Sequence, residues 1–396
     1  MLCRFWLLPH AFIFALLVLD YVVVHIESFT PIPLPKVKSG ATPRTKSRFS
    51  HLNERPVKSA TAPIQEEIRY IAGRRAILLH PAISKEIASN PPLVILGGMA
   101  QSIASWEFHL PHFAKHRSVL MYECLGQGPS PPETACSNKD LDTYYEDVSL
   151  EHQGRDFWNV VEEAFFTPGS YYYDNNLNNE SDQNVRTVDV VGFSFGGRVA
   201  LAAAVTQPNR IRRLHLTGVG AERDEYGNVL LASWKDMLND IDADITGAMN
   251  EINNPKLRTF AWSIILASYS EEFIASVGAA RVQTWVDGVC KFNTQRGLRA
   301  ILLQTHDGEG QWTPASMAEH IKGSVESYKL VVGSYDKLSS PRQVKRLTQL
   351  LGTQEDDIDD GVYRAVENCG HAVPFESMRI WREDVVQYLT NQSYNT

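Results

Sequence analysis

Cysteine is scarce and unpatterned. Five residues in a chain of 396, none in a C-x-x-C spacing, signal neither a disulfide framework nor a zinc site, and a reducing compartment fits such usage. No internal repeat is present, and 25 glycines and 20 prolines without a period exclude a collagen-like chain. Charged residues make up 21% against 43% hydrophobic, which excludes an acidic solvating chain and makes a packed core feasible. An uninterrupted apolar run of roughly 20 residues, the length a membrane span needs, is also missing: Pro9, His10, Asp20 and His25 interrupt the most apolar segment. Positive charge is thin beyond the first 63 residues, which hold eight Lys/Arg against three Asp/Glu; the net charge of −8 therefore leaves −13 for the remainder. That balance disfavours a nucleic-acid or anionic-membrane partner for the folded part.

Two leader segments precede the fold. Residues 1–28 place Arg4 ahead of the apolar stretch Phe12 to Leu19 and read as a signal peptide, with a membrane anchor as the alternative. Residues 29–63 are rich in Ser, Thr, Pro, Lys and Arg, with Glu54 as the single acid. This is the composition of a transit peptide, or of a basic disordered linker. The junction Glu27-Ser-Phe-Thr-Pro31 is similar to the cleavage junction of bipartite presequences in algae whose plastids are of secondary origin. The expectation is delivery to a plastid, the alternative the secretory pathway or a membrane held by the N-terminal segment.

After Ile64 short apolar runs bounded by Gly, Pro or Asn alternate with helical stretches, the pattern of a mostly parallel sheet flanked by helices, an α/β fold. Strands are expected at Leu93 to Leu96, Val119 to Tyr122, Val188 to Val191, Leu214 to Thr217, Leu330 to Val332 and Tyr363 to Val366, with an antiparallel hairpin from Ile68 to Ile71 and Ala76 to Leu79. Tyr171 to Gln183 reads as a polar surface insertion with an Asn179 sequon; a second sequon starts at Asn391. Residues 221–315 show helical periodicity and no strand, too long a block for a loop. They are assigned to an inserted helical cap between core segments 64–220 and 316–396. Trp262, Tyr269 and Trp285 are expected in its core.

The chemistry gathers at strand ends. Gly192-Phe-Ser-Phe-Gly196-Gly197 follows an apolar strand and precedes a helix-forming run, the strand-turn-helix context of a G-x-S-x-G nucleophile elbow. Gly192 and Gly196 give clearance for a strained serine, and Gly197 lets the helix approach the sheet. Gly97-Gly98-Met99 closes an earlier strand, where a loop supplies backbone N–H groups; Glu123 to Ser130 is a Gly-rich turn. Asp336 and His371 end the last two strands, so the order Ser194, Asp336, His371 is the one this elbow requires.

These segments together resemble the α/β-hydrolase superfamily, over residues 64 to 389. The resemblance implies an α/β-hydrolase fold with a cap and a serine nucleophile, since the epoxide hydrolases and haloalkane dehalogenases of this fold need Asp there. In the first loop Gly98, Ser102 and Trp106 match the family, whereas Gly97 stands where its His is usual, which bears on the aim of the Met99 amide. Glu123 replaces a usual Asp, and Gly370-His-Ala-Val-Pro-Phe-Glu376 is similar to the histidine loop.

Physically, serine needs a base. His371 would take its proton, Asp336 would fix the tautomer and stabilise the imidazolium, and the N–H groups of Phe195 and Met99 would hold an oxyanion. Asp356, Asp357, Asp359 and Asp360 read as a solvated loop, Asp307 lies off any strand end, and Cys369 lacks a basic neighbour to favour its thiolate. No metal or organic cofactor is expected. The expected reaction is hydrolysis of an ester, thioester or amide in a small acyl substrate through an acyl-enzyme. Gly196-Gly-Arg-Val-Ala200 is also similar to the elbow helix of 2-succinyl-6-hydroxy-2,4-cyclohexadiene-1-carboxylate synthase, a pyruvate-eliminating lyase; that resemblance would turn Arg198 to substrate carboxylates. In plain esterases the same arginine is a structural ion-pair residue. A binding-only relative using the same pocket is the third alternative.

Overall fold

The computed structural model describes residues 65–81, 90–115, 117–128, 145–176, 186–239, 253–305, 310–358 and 361–390. Both leader segments, the sequons at Asn179 and Asn391, and Asp307, Asp359 and Asp360 lie outside them.

Eight strands form one sheet: β1 Gln65–Ile71, β2 Arg74–His80, β3 Leu93–Leu96, β4 Val119–Tyr122, β5 Val188–Phe193, β6 Ile211–Thr217, β7 Ser327–Gly333 and β8 Tyr363–Val366. Their order is β1-β2-β4-β3-β5-β6-β7-β8. Every residue of β3, β4 and β5 is buried, which is why these strands read as continuous apolar runs: both faces are covered. The hairpin turns on Ala72 and Gly73, both at positive φ (46° and 76°), the geometry that matches the twist of a two-residue connection. The first two pairings, β1 with β2 and β2 with β4, are antiparallel; the others are parallel.

The chain steps outward from β3 to β4 and then returns to place β5 on the other side of β3. This reversal opens a crevice at the carboxyl ends of β3 and β5, the place where open α/β sheets bind ligands. Helix α1 (Leu150–Val161) and helix α2 (Phe195–Thr206) cover one face. They approach so closely that a Cβ on Gly154 would fall 2.7 Å from the Ala202 carbonyl oxygen, and the Trp158 ring N–H donates to Ala203 O at 2.9 Å.

Between β6 and β7 the described residues form α3 Glu225–Met237, α4 Pro255–Ser268, α5 Glu271–Val277, α6 Ala279–Phe292, α7 Gln295–Thr305 and α8 Pro314–Ile321. Local chemistry starts them. Asn254 accepts from the Lys256 and Leu257 amides ahead of Pro255, Ser270 accepts from Phe273 N–H, and Thr313 from Ser316 N–H. Helix α9 (Pro341–Leu351) follows β7, and α10 (Met378–Thr390) ends the described chain. No described helix is long and apolar enough to cross a membrane.

Two expectations change. Tyr171 to Asn176 is helical, and Tyr172 is buried against Phe165 and Phe166; the aromatic residues of that stretch pack while its asparagines made it look like a loop. Trp262, Tyr269 and Trp285 are only partly buried. The buried side of α4 and α6 is built instead from Leu257, Phe260, Ala261, Val282 and Val286.

Candidate active site

Ser194 sits between β5 and α2 with φ 52° and ψ −116°. A non-glycine residue there costs on the order of 1–3 kcal/mol and persists only where its surroundings impose it. They do so through close contacts: a Cβ on Gly192 would lie 2.5 Å from Gly197 Cα, and one on Gly196 would lie 2.4 Å from Leu96 O. The Ser194 amide donates to Thr217 O at 2.8 Å, pinning the turn to β6. Ser194 remains partly exposed, whereas Asp336 and His371 are buried.

The three side chains meet. His371 Nδ1 lies 2.8 Å from Asp336 Oδ2, and His371 Nε2 lies 2.8 Å from Ser194 Oγ. An ionised carboxylate only accepts, so Nδ1 carries the proton, and Nε2 accepts from the serine hydroxyl. The other oxygen of Asp336 accepts the Leu338 and Ser339 amides, both at 2.8 Å. Neutral donors thus hold the carboxylate in place without cancelling its charge. Beneath the imidazole lies Gly218, at φ 65°, where a Cβ would fall 2.8 Å from His371 Cε1. Phe193 packs beside the ring at a centroid distance of 5.2 Å. Neither Gly218 nor Phe193 stands out in the sequence, because each matters through a contact distant along the chain.

The loop after β3 is organised by Gln101. Its Oε1 accepts the Gly98 amide at 2.7 Å and the Trp106 ring N–H at 3.0 Å. Trp106 is fully buried among His109, Phe193, Phe375 and Trp381, so this candidate substrate contact supports the loop from below. Gly98, with its amide engaged, and Ser102, whose carbonyl accepts the Ser105 amide, are likewise loop formers. The glycine at position 97 has a physical reason: a Cβ there would meet Trp106 Nε1 at 3.0 Å. Among the described residues the Met99 and Phe195 amides donate to no backbone or side-chain acceptor. Both remain available to an incoming oxygen atom.

Glu123 takes the position expected of an aspartate. It accepts from Arg75 Nη1 at 3.3 Å, and burial raises its carboxyl above the usual range. Its extra methylene fits because Gly128 has no side chain; a Cβ there would fall 2.4 Å from Glu123 Oε2. Burial pushes the Cys369 thiol up to about 12, which leaves it a thiol at neutral pH. Asp356 and Asp357 are exposed in a single helical turn.

Arg198, one turn beyond the serine on α2, departs from the structural ion-pair expectation for it. It is 8% exposed, makes no ion pair among the described residues, and leaves Nε and Nη1 without hydrogen-bond partners. Burial, with Arg223 adding to it, pulls its pKa well below the usual guanidinium value. A buried guanidinium without a counter-charge is costly unless something supplies one. The ion pair of the plain-esterase expectation is absent from the described residues.

A family model described as alpha/beta hydrolase fold matches residues 91–260. The chain is similar to a 2-hydroxymuconate semialdehyde hydrolase of a Pseudomonas species, 27% identical over 236 residues, covering 56% of this chain and 71% of the relative. It is also similar to a 2-hydroxy-6-oxo-2,4-heptadienoate hydrolase of Pseudomonas putida, 23% identical over 257 residues, covering 62% and 82%. Among solved structures, the enol-lactonase from Burkholderia xenovorans superposes with a TM-score of 0.56 at 16% identity, covering 82% of this chain and all (100%) of that one. An alpha/beta hydrolase enzyme from a Medee basin deep-sea metagenome library gives 0.55 at 16% identity, covering 83% and 99%.

Proposed function

Because this chain is a member of the α/β-hydrolase fold superfamily, we propose that it is a serine hydrolase, cleaving an ester, thioester or amide of a small acyl substrate through an acyl-enzyme. The relay from Ser194 through His371 to Asp336, with both hydrogen bonds at 2.8 Å, carries this reading. Ser194 Oγ attacks the carbonyl carbon as its proton passes to His371 Nε2. The oxyanion is held by the Phe195 and Met99 amides, and Asp336 offsets the imidazolium charge. Collapse expels the leaving group, which takes the proton from Nε2. Water then repeats the sequence on the acyl-enzyme and frees Ser194. The helices between β6 and β7 serve as the cap over the serine.

A fluorophosphonate probe and short-chain p-nitrophenyl esters test this reading. Wild-type protein is expected to label and to show turnover or a burst, and Ser194→Ala to do neither. Equal labelling of that variant would refute the nucleophile; an unlabelled wild type with no burst is the result a binding-only relative would give.

Arg198 favours a second reading, the lyase that eliminates pyruvate on the same serine and histidine. There its unpaired guanidinium would meet a substrate carboxylate. The hydrolase reading expects Arg198→Ala to keep most esterase activity. Pyruvate release from the cyclohexadiene substrate, with no esterase activity at all, decides for the lyase.

For the leader we infer a plastid address, on the change at Phe29 from apolar to basic, Ser/Thr-rich composition. A fluorescent fusion of residues 1–63 is expected in the plastid, and the Phe29→Ala fusion at an earlier station. Both fusions in the plasma membrane or medium would refute it.

A further inference from the structure

The loop that carries His371 touches two different parts of the molecule. On one side it lies against the end of β7: a Cβ on Gly333 would fall 2.0 Å from Gly370 O, and the Tyr335 amide donates to Cys369 O at 2.9 Å. That contact joins it to the loop of Asp336. On the other side it meets the joint between α4 and α5, about a hundred residues earlier in the chain. The Ala372 amide donates to Ser268 O at 2.8 Å. Glu376 completes the seam. Its Oε1 accepts the Gly370 amide at 2.9 Å and the Ser270 amide at 3.2 Å, and its Oε2 accepts the Ser270 hydroxyl at 2.6 Å. One carboxylate therefore holds the residue before the histidine and the N-cap of α5 at once.

The seam admits little slack. A Cβ on Gly370 would lie 2.7 Å from both Glu376 Oε1 and Ser270 N, and 2.8 Å from Tyr269 C. The far side of the joint is stiff as well. Tyr269, Phe273 of α5 and Trp285 of α6 lie against one another with interplanar angles of 10°, 22° and 12°, so α5 and α6 are attached to the joint through a cluster of near-parallel rings. A displacement of these helices would be transmitted to Ser270, then through the carboxylate to Gly370 and the imidazole.

We propose that Glu376 is a positioning residue that fixes His371 on Ser194 by tying the histidine loop to the α4–α5 joint, so that the helical insertion sets the alignment of the base. The proposal rests on the serine-hydrolase reading. It concerns geometry, not charge: glutamine in place of Glu376 would still accept both amides through its carbonyl oxygen, and the Ser270 hydroxyl can turn to accept from its NH2. A shortened side chain would keep none of the three bonds. Misplacing a base by about 1 Å lowers a rate on the order of 100-fold.

The test uses the full chain and reads the rate of fluorophosphonate labelling at Ser194, with kcat and KM on a p-nitrophenyl ester and circular dichroism as a check of folding. Glu376→Ala is expected to lower both labelling and kcat about 100-fold with KM within about twofold. Glu376→Gln is expected within about threefold of wild type, and Ser270→Ala, which removes one bond of three, at an intermediate rate. The double variant Ser270→Ala/Glu376→Ala is expected no slower than Glu376→Ala alone, since both act through one seam. A labelled wild type with Glu376→Ala labelling equally fast overturns the proposal and leaves the serine reading standing. Glu376→Gln as slow as Glu376→Ala overturns it too, because charge would then be what matters. Should Glu376→Ala fail to fold, Ser270→Ala with an unchanged labelling rate is the overturning result. An unlabelled wild type overturns the serine reading and this proposal together.

Discussion

His371–Asp336 and His215–Asp384 are both buried histidine–aspartate pairs, at 2.8 and 3.1 Å, attached to neighbouring parts of the same sheet. Their surroundings separate them. Among the described residues Asp336 is otherwise bonded only to two backbone amides, so its charge is free to act on the imidazole. Asp384 also holds Lys329 and Arg364, each at 2.9 Å. Its charge is already spent on two cations. Burial would raise the Asp384 carboxyl, but His215 and Lys329 outweigh that and hold it well below the usual range. The second nitrogen differs too: His371 Nε2 meets a hydroxyl on a strained turn, whereas His215 Nδ1 faces no partner among the described residues. A histidine–aspartate pair becomes chemistry when the carboxylate keeps its charge and the far nitrogen reaches a nucleophile; otherwise it is a strut. His109 adds a third arrangement. Its Nδ1 accepts from Arg382 Nε at 2.9 Å, and burial, followed by the charge of Arg382, lowers its pKa to about 2.

Replacing members of the two pairs in turn is the sharpest way to break this comparison. His371→Ala should lower kcat by about 10⁵–10⁶, whereas His215→Ala should leave the turnover of folded protein within about twofold; comparable losses would erase the distinction. Asp336→Asn should cost about 10⁴ in kcat through the tautomer, with melting temperature nearly unchanged. Asp384→Ala should reverse that outcome. It strands Lys329 and Arg364 without their counter-charge and should cost about 3 kcal/mol in denaturant unfolding, with labelling at Ser194 preserved.

The third histidine gives a smaller effect with a defined sign. Unfolded, His109 binds a proton near pH 6.5; folded, it refuses one until about pH 2. Its contribution is fully present above the unfolded value and is lost as pH falls below it, at about 1.4 kcal/mol per pH unit. Wild-type stability should therefore fall by about 2 kcal/mol more than that of His109→Asn between pH 6.5 and 5. Parallel pH profiles in urea unfolding would count against this account. The smallest effect belongs to Arg198→Met. Removing a buried charge that no described residue neutralises should move stability by less than about 1 kcal/mol, or raise it, in the same unfolding assay.

What could be read in advance follows from the range of the interactions. The central strands β3, β4 and β5 are legible as apolar runs because burial on both faces leaves little polar alternation to obscure them, and Ser194 is marked by glycines two residues to either side. Asp336 and His371 were recognisable by position at strand ends. Gln101, Gly218 and Glu376 were not, since their partners are a loop amide, a distant imidazole ring and a serine 106 positions away. A further signal lies in β5. Asp189 lies within an otherwise apolar strand, and a buried acid in such a run announces cations elsewhere, here Arg117 and Arg212. The missing counter-charge at Arg198 is legible only in three dimensions, because an absent partner leaves no mark in the chain.

The wide spacing of the relay also bears on biosynthesis. Ser194 is translated 177 positions before His371 and 142 before Asp336. At ribosomal speeds of 5–20 residues per second, roughly 9 to 35 seconds separate Ser194 from His371. Throughout that interval the nascent chain carries a serine that is chemically ordinary, even if β5 and α2 have already paired with the strands made before them. On the serine-hydrolase reading, reactivity is withheld until β8 has docked, and no truncated chain ending before it can acquire the relay by folding alone.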